Sequence, residues 1–155
     1  MPEVSLPVVP GMEGCHWMFR KTSPESWHKV LNVLLEGRSV KAKIAVGWLI
    51  DYTGPLADCI KVCWSIAKGE STLTRRAVNA NRLTGVPTEP NGIEKASGPA
   101  MQAGRQAILD TIRHSCGVPL SEAITIQAKH SGEFMSSSPC RNGMIGSAFA
   151  KSEAV

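Results

Sequence analysis

Glu3 is the first side chain able to do acid–base work, and its setting is specific. It follows Pro2 and leads into a short apolar run, Val4 to Val9, that stops at the turn Pro10-Gly11-Met12-Glu13-Gly14. A carboxylate, a stiff apolar segment and a glycine-bracketed turn together can hold an acid at the rim of a pocket. Such a group serves as a general acid or base when partial desolvation brings its pKa toward the working pH. An exposed terminal glutamate is the competing reading of Glu3. Gly11 and Gly14 permit a tight turn or a close backbone approach, which makes them candidates for shaping the pocket. Glu13, between them, is either a second polar group at that pocket or a solvent-facing turn residue.

The other reactive side chains do not assemble by spacing. Cys15 and His16 are adjacent, and neighbours on an extended turn point apart, so His16 reads as structural or exposed rather than as half of a catalytic pair. Cys59 and Cys63 share a helix face, but no nearby Cys or His completes a four-ligand set, so no metal site is expected. Their apolar neighbours predict core packing for both thiols.

Helices must position these residues. Ser23 suits an N-cap, Pro24 the first helical position and Glu25 the first turn; Trp27, Val30, Leu31 and Leu34 follow at helical spacing until Gly37. A short helix is expected over Val40 to Val46, then an extended Trp48-Leu49-Ile50. The next helix spans Leu56 to Lys68, with Ile60, Cys63, Ile66 and Ala67 on its apolar side and Gly69 closing it. Another begins near Ser71 or Thr72 and carries Arg75 and Arg76. Residues 81–100, rich in Gly, Pro and Asn, read as a long loop. Met101, Ile108, Leu109 and Ile112 mark the buried stripe of a helix over Met101 to Ser115. Gly104 on that stripe either weakens the helix or permits close packing. Ser121 caps a further helix to about Phe134, and Pro139 opens a last one carrying Met144, Ile145, Ala148 and Phe149. The expected fold is therefore mostly α, with short strands only near residues 4–9 and 48–51.

Bulk properties narrow the function classes. A chain of 155 residues is one domain's worth. The net charge of +4 is mild and its Lys and Arg are dispersed, so no nucleic-acid partner is expected. The apolar runs are too short to span a membrane, and the N-terminus lacks a signal-peptide pattern. Five scattered cysteines fit free thiols in a reducing, cytoplasmic setting.

The order of motifs resembles the enoyl-CoA hydratase/isomerase (crotonase) superfamily. Pro2-Glu3 through Pro10-Gly11-Met12-Glu13-Gly14 is similar to the stretch after its central spiral of strands, where a Pro-Glu pair leads to a Pro-Gly-x-x-Gly turn. Leu34-Leu35-Glu36-Gly37-Arg38-Ser39-Val40, Ala45 through Asp51, Thr74-Arg75-Arg76-Ala77, Ala107 through Phe134 and Arg141 through Phe149 follow in the family's order. Gly14-Cys15-His16-Trp17, Phe19 through Glu25 and Ala128-Lys129-His130-Ser131-Gly132-Glu133-Phe134-Met135 look most like the 6-oxocyclohex-1-ene-1-carbonyl-CoA hydrolases. The chain departs from the family in carrying Trp48 after Gly47, in the length of residues 81–100, and in lacking the family's first half.

The resemblance implies the C-terminal part of an α/β fold without most of its sheet. It implies Glu3 as acid/base carboxylate, and coenzyme A present as part of an acyl-CoA thioester substrate rather than as a tightly bound cofactor. It also places Phe149 near the adenine and Lys151 near the phosphates of CoA. A missing N-terminal half or partner chain would supply the oxyanion donors, and the complete assembly would be a trimer or hexamer. The reaction would be hydrolytic ring opening, or the hydration performed by an ordinary enoyl-CoA hydratase. A non-catalytic helical assembly module is the alternative from a different class.

Overall fold

A computed structural model describes residues 3, 6–37, 39–89 and 98–144. Among them the chain is mostly helical with essentially no β-sheet. Six α-helices run in order: α1 (Trp17–Lys21), α2 (Trp27–Glu36), α3 (Ala42–Ala45), α4 (Leu56–Ala67), α5 (Pro99–Cys116) and α6 (Leu120–Met135). Residues 138–144 are also helical. No helix among the described residues is long and apolar enough to cross a membrane.

The core forms where helical periodicity puts apolar side chains on one stripe. In α2, Trp27, Val30, Leu31, Leu34 and Leu35 are buried, and in α5 Ile108, Leu109 and Ile112. Val9, Cys15, Phe19, Leu83 and Cys116 complete the same cluster. Phe19 meets the edge of Trp27 at 6.4 Å between ring centroids, and the Trp27 indole N–H donates to the Phe19 carbonyl at 3.0 Å. Both apolar bulk and the one polar tip are thereby accommodated.

Helix ends follow the local chemistry, with two adjustments. Gly37 closes α2 at φ 67°, in the left-handed region that glycine enters without steric penalty. Ser23-Pro24-Glu25 starts a 3₁₀ turn (Pro24–Ser26), so the α-helix begins only at Trp27. The α6 helix begins at Leu120 after Pro119, one residue before the expected Ser121 cap. Only Gly117 to Pro119 separate α5 from α6, which makes them neighbours, and His114 stacks on His130 across the pair at 4.9 Å. Gly104 performs close packing. A Cβ there would lie 3.0 Å from the Pro7 Cα, and one at Gly143 would overlap the Pro7 ring. Pro7 thus sits in a notch between α5 and residues 138–144, which anchors the N-terminal segment.

Four expectations are corrected. Residues 6–9 form no strand, and residues 48–51 form a turn in which Ala45 O accepts from Leu49 N (2.9 Å) and Ile50 N (3.1 Å), with one isolated bridge between Val46 and Ile50. Strand pairing needs a neighbouring strand, and none lies beside them among the described residues. Residues 71–80 are not helical. Their backbone serves other elements: Asn79 N donates to Arg20 O and Leu120 N to Ala80 O, each at 2.9 Å. Leu83 N then donates to Cys116 O at 2.9 Å and buries its side chain. Tertiary hydrogen bonds override the weak helical preference there. The apolar side of α4 is not packed away. No residue of this helix is buried, and Leu56, Ile60 and Trp64 are 77%, 60% and 65% exposed. Cys59 is accordingly only half-buried and Cys63 exposed, so neither is a core thiol. Finally, residues 81–89 are irregular as expected, but the rest of the expected loop, up to residue 97, lies outside the described residues, and α5 already starts at Pro99.

Candidate functional site

The turn at residues 11–13 and α6 line one cavity, and Glu3 is not among the residues that line it. Glu3 is half-buried, and its carbonyl accepts from Leu6 N at 3.1 Å and Val8 N at 3.0 Å, so the chain curls directly after it. Its Oε2 is buried and has no hydrogen-bond partner among the described residues. Such an oxygen is destabilising by roughly 1–3 kcal/mol unless something meets it.

The turn after Pro10 is clamped at both ends by one residue. Gln127 of α6, 2% exposed, donates its Nε2 hydrogen to Pro10 O at 2.9 Å, while its Oε1 accepts from Cys15 N at 3.0 Å. Within the turn, Gly14 N donates to Gly11 O at 2.9 Å. The left-handed positions are not the glycines: Met12 has φ 46° and Glu13 φ 66°. That conformation throws the Met12 side chain fully into solvent and sets Glu13 on the wall of a cavity of about 360 Å³. Gly11, Met12, Ile124, Gln127, Ala128 and Ser131 share this wall. Its volume is at the lower end of ligand sites, roughly 300–1,000 Å³. Glu13 Oε2 is a second buried oxygen without a hydrogen-bond partner among the described residues.

Arg20 and His16, which follow the turn in the chain, are buried together and do not line the cavity. Arg20 is 1% exposed, and its guanidinium donates to four carbonyls: Asn79 (3.1 Å), Asn81 (2.7 Å), Ser115 (2.9 Å) and Val118 (2.8 Å). Its Nε also donates to His16 Nδ1 at 3.3 Å. That bond places the imidazole hydrogen on Nε2, an atom that is itself buried without a partner. Burial, and then the neighbouring guanidinium, lowers the His16 pKa to about 4, so the ring is neutral at pH 7. Burial also lowers Arg20, with Cys116 and Glu13 opposing the effect. The buried thiols Cys15 and Cys116 are held protonated: burial, Cys116 and Glu3 together push Cys15 far above the ordinary thiol range, and burial pushes Cys116 up to about 12. Neither can serve as a nucleophile at neutral pH.

Of the residues singled out from sequence, the fold brings Gly11 and Glu13 to one cavity. Gly14 supports the turn through its backbone without lining that cavity. Phe149 and Lys151 lie outside the described residues. His16, expected to be structural or exposed, is buried and accepts from Arg20. Among the described residues no group of three or more His, Cys, Asp or Glu side chains could hold a metal ion. Two residues that organise the site carried little sequence signal. Arg20 reads as one of a basic pair with Lys21. Gln127 had one cue: it stands at helical spacing from Leu120 and Ala123, a polar residue on an inward stripe. No protein-family model, curated protein or solved structure matches the chain.

Proposed function

We propose that the chain is the C-terminal part of a crotonase-type CoA-thioester enzyme acting on a 6-oxocyclohex-1-ene-1-carbonyl-CoA type of ring, with Glu3 as its acid/base carboxylate. One observation carries this reading. The Pro-Glu pair that opens the family-like series of motifs ends in a half-buried carboxylate whose Oε2 has no hydrogen-bond partner among the described residues. In the proposed reaction this carboxylate takes a proton from water and returns it to carbon.

In the proposed reaction water adds across the alkene conjugated to the thioester. Hydroxyl bonds to the β carbon and a proton to the α carbon, and negative charge gathers on the thioester oxygen in between. Backbone N–H donors must stabilise that oxygen, and this reading assigns them to a segment outside these 155 residues. A second water then attacks the ring ketone, the C–C bond breaks, and protonation of the released carbon leaves an open-chain dicarboxylic monothioester. An ordinary hydratase would stop at the ring alcohol, so product analysis separates the two. The free state of all five thiols supports a reducing, cytoplasmic setting. In the complete enzyme containing this chain, Glu3→Gln lowers kcat by about 10²–10⁴-fold while thioester affinity changes little. Unchanged turnover in that variant overturns the assignment.

The uncovered apolar side of α4 supports a second reading, a helical assembly module. Leu56, Ile60 and Trp64 form an exposed apolar row of the kind found at contacts between chains.

A further inference from the structure

The exposed face of α4 is apolar along its length and basic along its rim. Leu56, Ala57, Ile60, Cys63, Trp64 and Ala67 are all exposed, fall on one side of the helix, and carry no charge. The opposite side, with Cys59, Val62 and Ile66, is half-buried toward the rest of the chain. Lys61 and Lys68, seven residues apart, share the rim beside Trp64. The Lys68 ammonium lies 5.5 Å from the centre of the Trp64 ring. At its N-terminal end the surface continues onto α3. Lys41, Lys43 and Ile44, all exposed, line a groove of about 610 Å³ with Gly54 and Pro55, the residues that lead into Leu56. Trp48 adjoins that groove, since its indole N–H donates to Ile44 O at 2.8 Å, and Lys29 Nζ lies 5.7 Å from its ring centre.

Charge decides what suits this face. Residues 39–80 hold six Lys and Arg against three acids, Asp51, Asp58 and Glu70, in a chain whose net charge is +4. Asp51 is taken up by Lys21 and Arg76, and Asp58 pairs with Lys61 at 3.4 Å. Glu70 stands beyond the end of the helix. Lys41, Lys43 and Lys68 have no carboxylate partner among the described residues. Copies of the chain can cover the apolar row in solution, but that contact sets one basic rim against another. An anionic lipid surface covers the row and neutralises the rim. Apolar side chains that include Trp, bordered by ammonium groups, are the pattern of a helix lying in the plane of a membrane interface, where the long lysine stems let the charges reach the headgroups.

We propose that this face docks the chain on an anionic lipid bilayer. Leu56, Ile60 and Trp64 enter the acyl boundary of one leaflet with α4 parallel to the surface, while Lys41, Lys43, Lys61 and Lys68 meet lipid phosphates. The docking is peripheral and independent of the CoA-thioester reading, which its failure leaves intact.

The test is co-sedimentation of the chain with two kinds of vesicle: phosphatidylcholine alone, and phosphatidylcholine mixed in roughly equal parts with phosphatidylglycerol. Each lysine near an anionic surface strengthens binding about fivefold, so the mixed vesicles should bind at least about 20-fold more tightly. High salt should remove that difference. Replacing both Lys41 and Lys43 by Ser should lower affinity for the mixed vesicles about 20-fold, and Trp64→Ser should lower it about 10-fold. A measurement on the unaltered chain keeps the test valid if a variant folds poorly: mixed vesicles, but not neutral ones, should protect Cys63 from a polyethylene-glycol maleimide. Equal binding to the two kinds of vesicle overturns the proposal, as does affinity for mixed vesicles that survives either variant. Cys63 labelling that mixed vesicles leave unchanged overturns it as well. Binding to neither kind overturns it and leaves the row to another protein chain.

Discussion

His16 and the cysteines show how burial alone assigns chemical behaviour to a side chain. With a folded pKa of about 4 against about 6.5 when unfolded, His16 binds its proton more readily in the unfolded chain. Its contribution to stability is therefore complete above about pH 6.5 and is lost as pH falls through about 4, an amplitude of about 3 kcal/mol. Denaturant unfolding across that range should show this limb, and His16→Gln should flatten it. A limb that persists in the variant assigns the effect to another group. Thiol chemistry should divide the same way. Cys15, Cys116 and Cys140 are buried, whereas Cys59 is half-buried and Cys63 exposed. An aromatic disulfide reagent should label two thiols in the native chain and all five in denaturant. Rapid native labelling of Cys15 would contradict the packing of the turn against α6.

At the level of elements, the irregular segment after α4 is held by polar contacts that helical periodicity could not predict. Asp51, at the end of the α3–α4 turn, pairs with Lys21 at 2.7 Å and Arg76 at 2.8 Å. It thereby ties α1 to residues 71–80. The Lys21 hydrogen bond, with Arg76 adding to it against the opposing effect of burial, holds the Asp51 carboxyl down to about 2. Stability from this network is complete above the unfolded value of about 3.9 and is lost as pH falls through about 2, below the His16 limb. Asp51→Asn should destabilise the chain by about 1–2 kcal/mol at pH 7 and remove the lower limb only. Chemical denaturation at pH 7 and pH 3 checks both statements, and equal losses at the two pH values would contradict the network.

At the scale of the whole molecule, one helix is out of balance with the rest. The helices α1, α2, α5 and α6 supply most of the buried residues, while α4 leaves Leu56, Ile60 and Trp64 in solvent. An exposed apolar row of this kind is a surface that association would cover. Sedimentation should show concentration-dependent association of the chain. Trp64→Glu should abolish it while changing monomer stability by no more than about 0.5 kcal/mol, since the site is exposed. Association that is unaffected by Trp64→Glu would place the contact elsewhere.

Periodicity was enough to locate α2, α5 and α6, because stripes such as Trp27-Val30-Leu31-Leu34 and Ile108-Leu109-Ile112 bury themselves on any neighbouring apolar surface. The glycine-bracketed turn was equally legible as a place where the backbone bends tightly. The partners were not legible. Amphipathic spacing in α4 looks the same whether or not a neighbour covers it, and here none does among the described residues. Glu13 could face cavity or solvent from sequence alone. Its placement depends on Gln127, more than a hundred residues away, meeting both ends of the turn. Arg20 likewise became a buried anchor only when four carbonyls from two distant segments, 79–81 and 115–118, converged on it. Local spacing determines which face of a helix is apolar. Which groups meet across the chain is decided by the packing that satisfies buried polar atoms, and that exists only in the folded molecule.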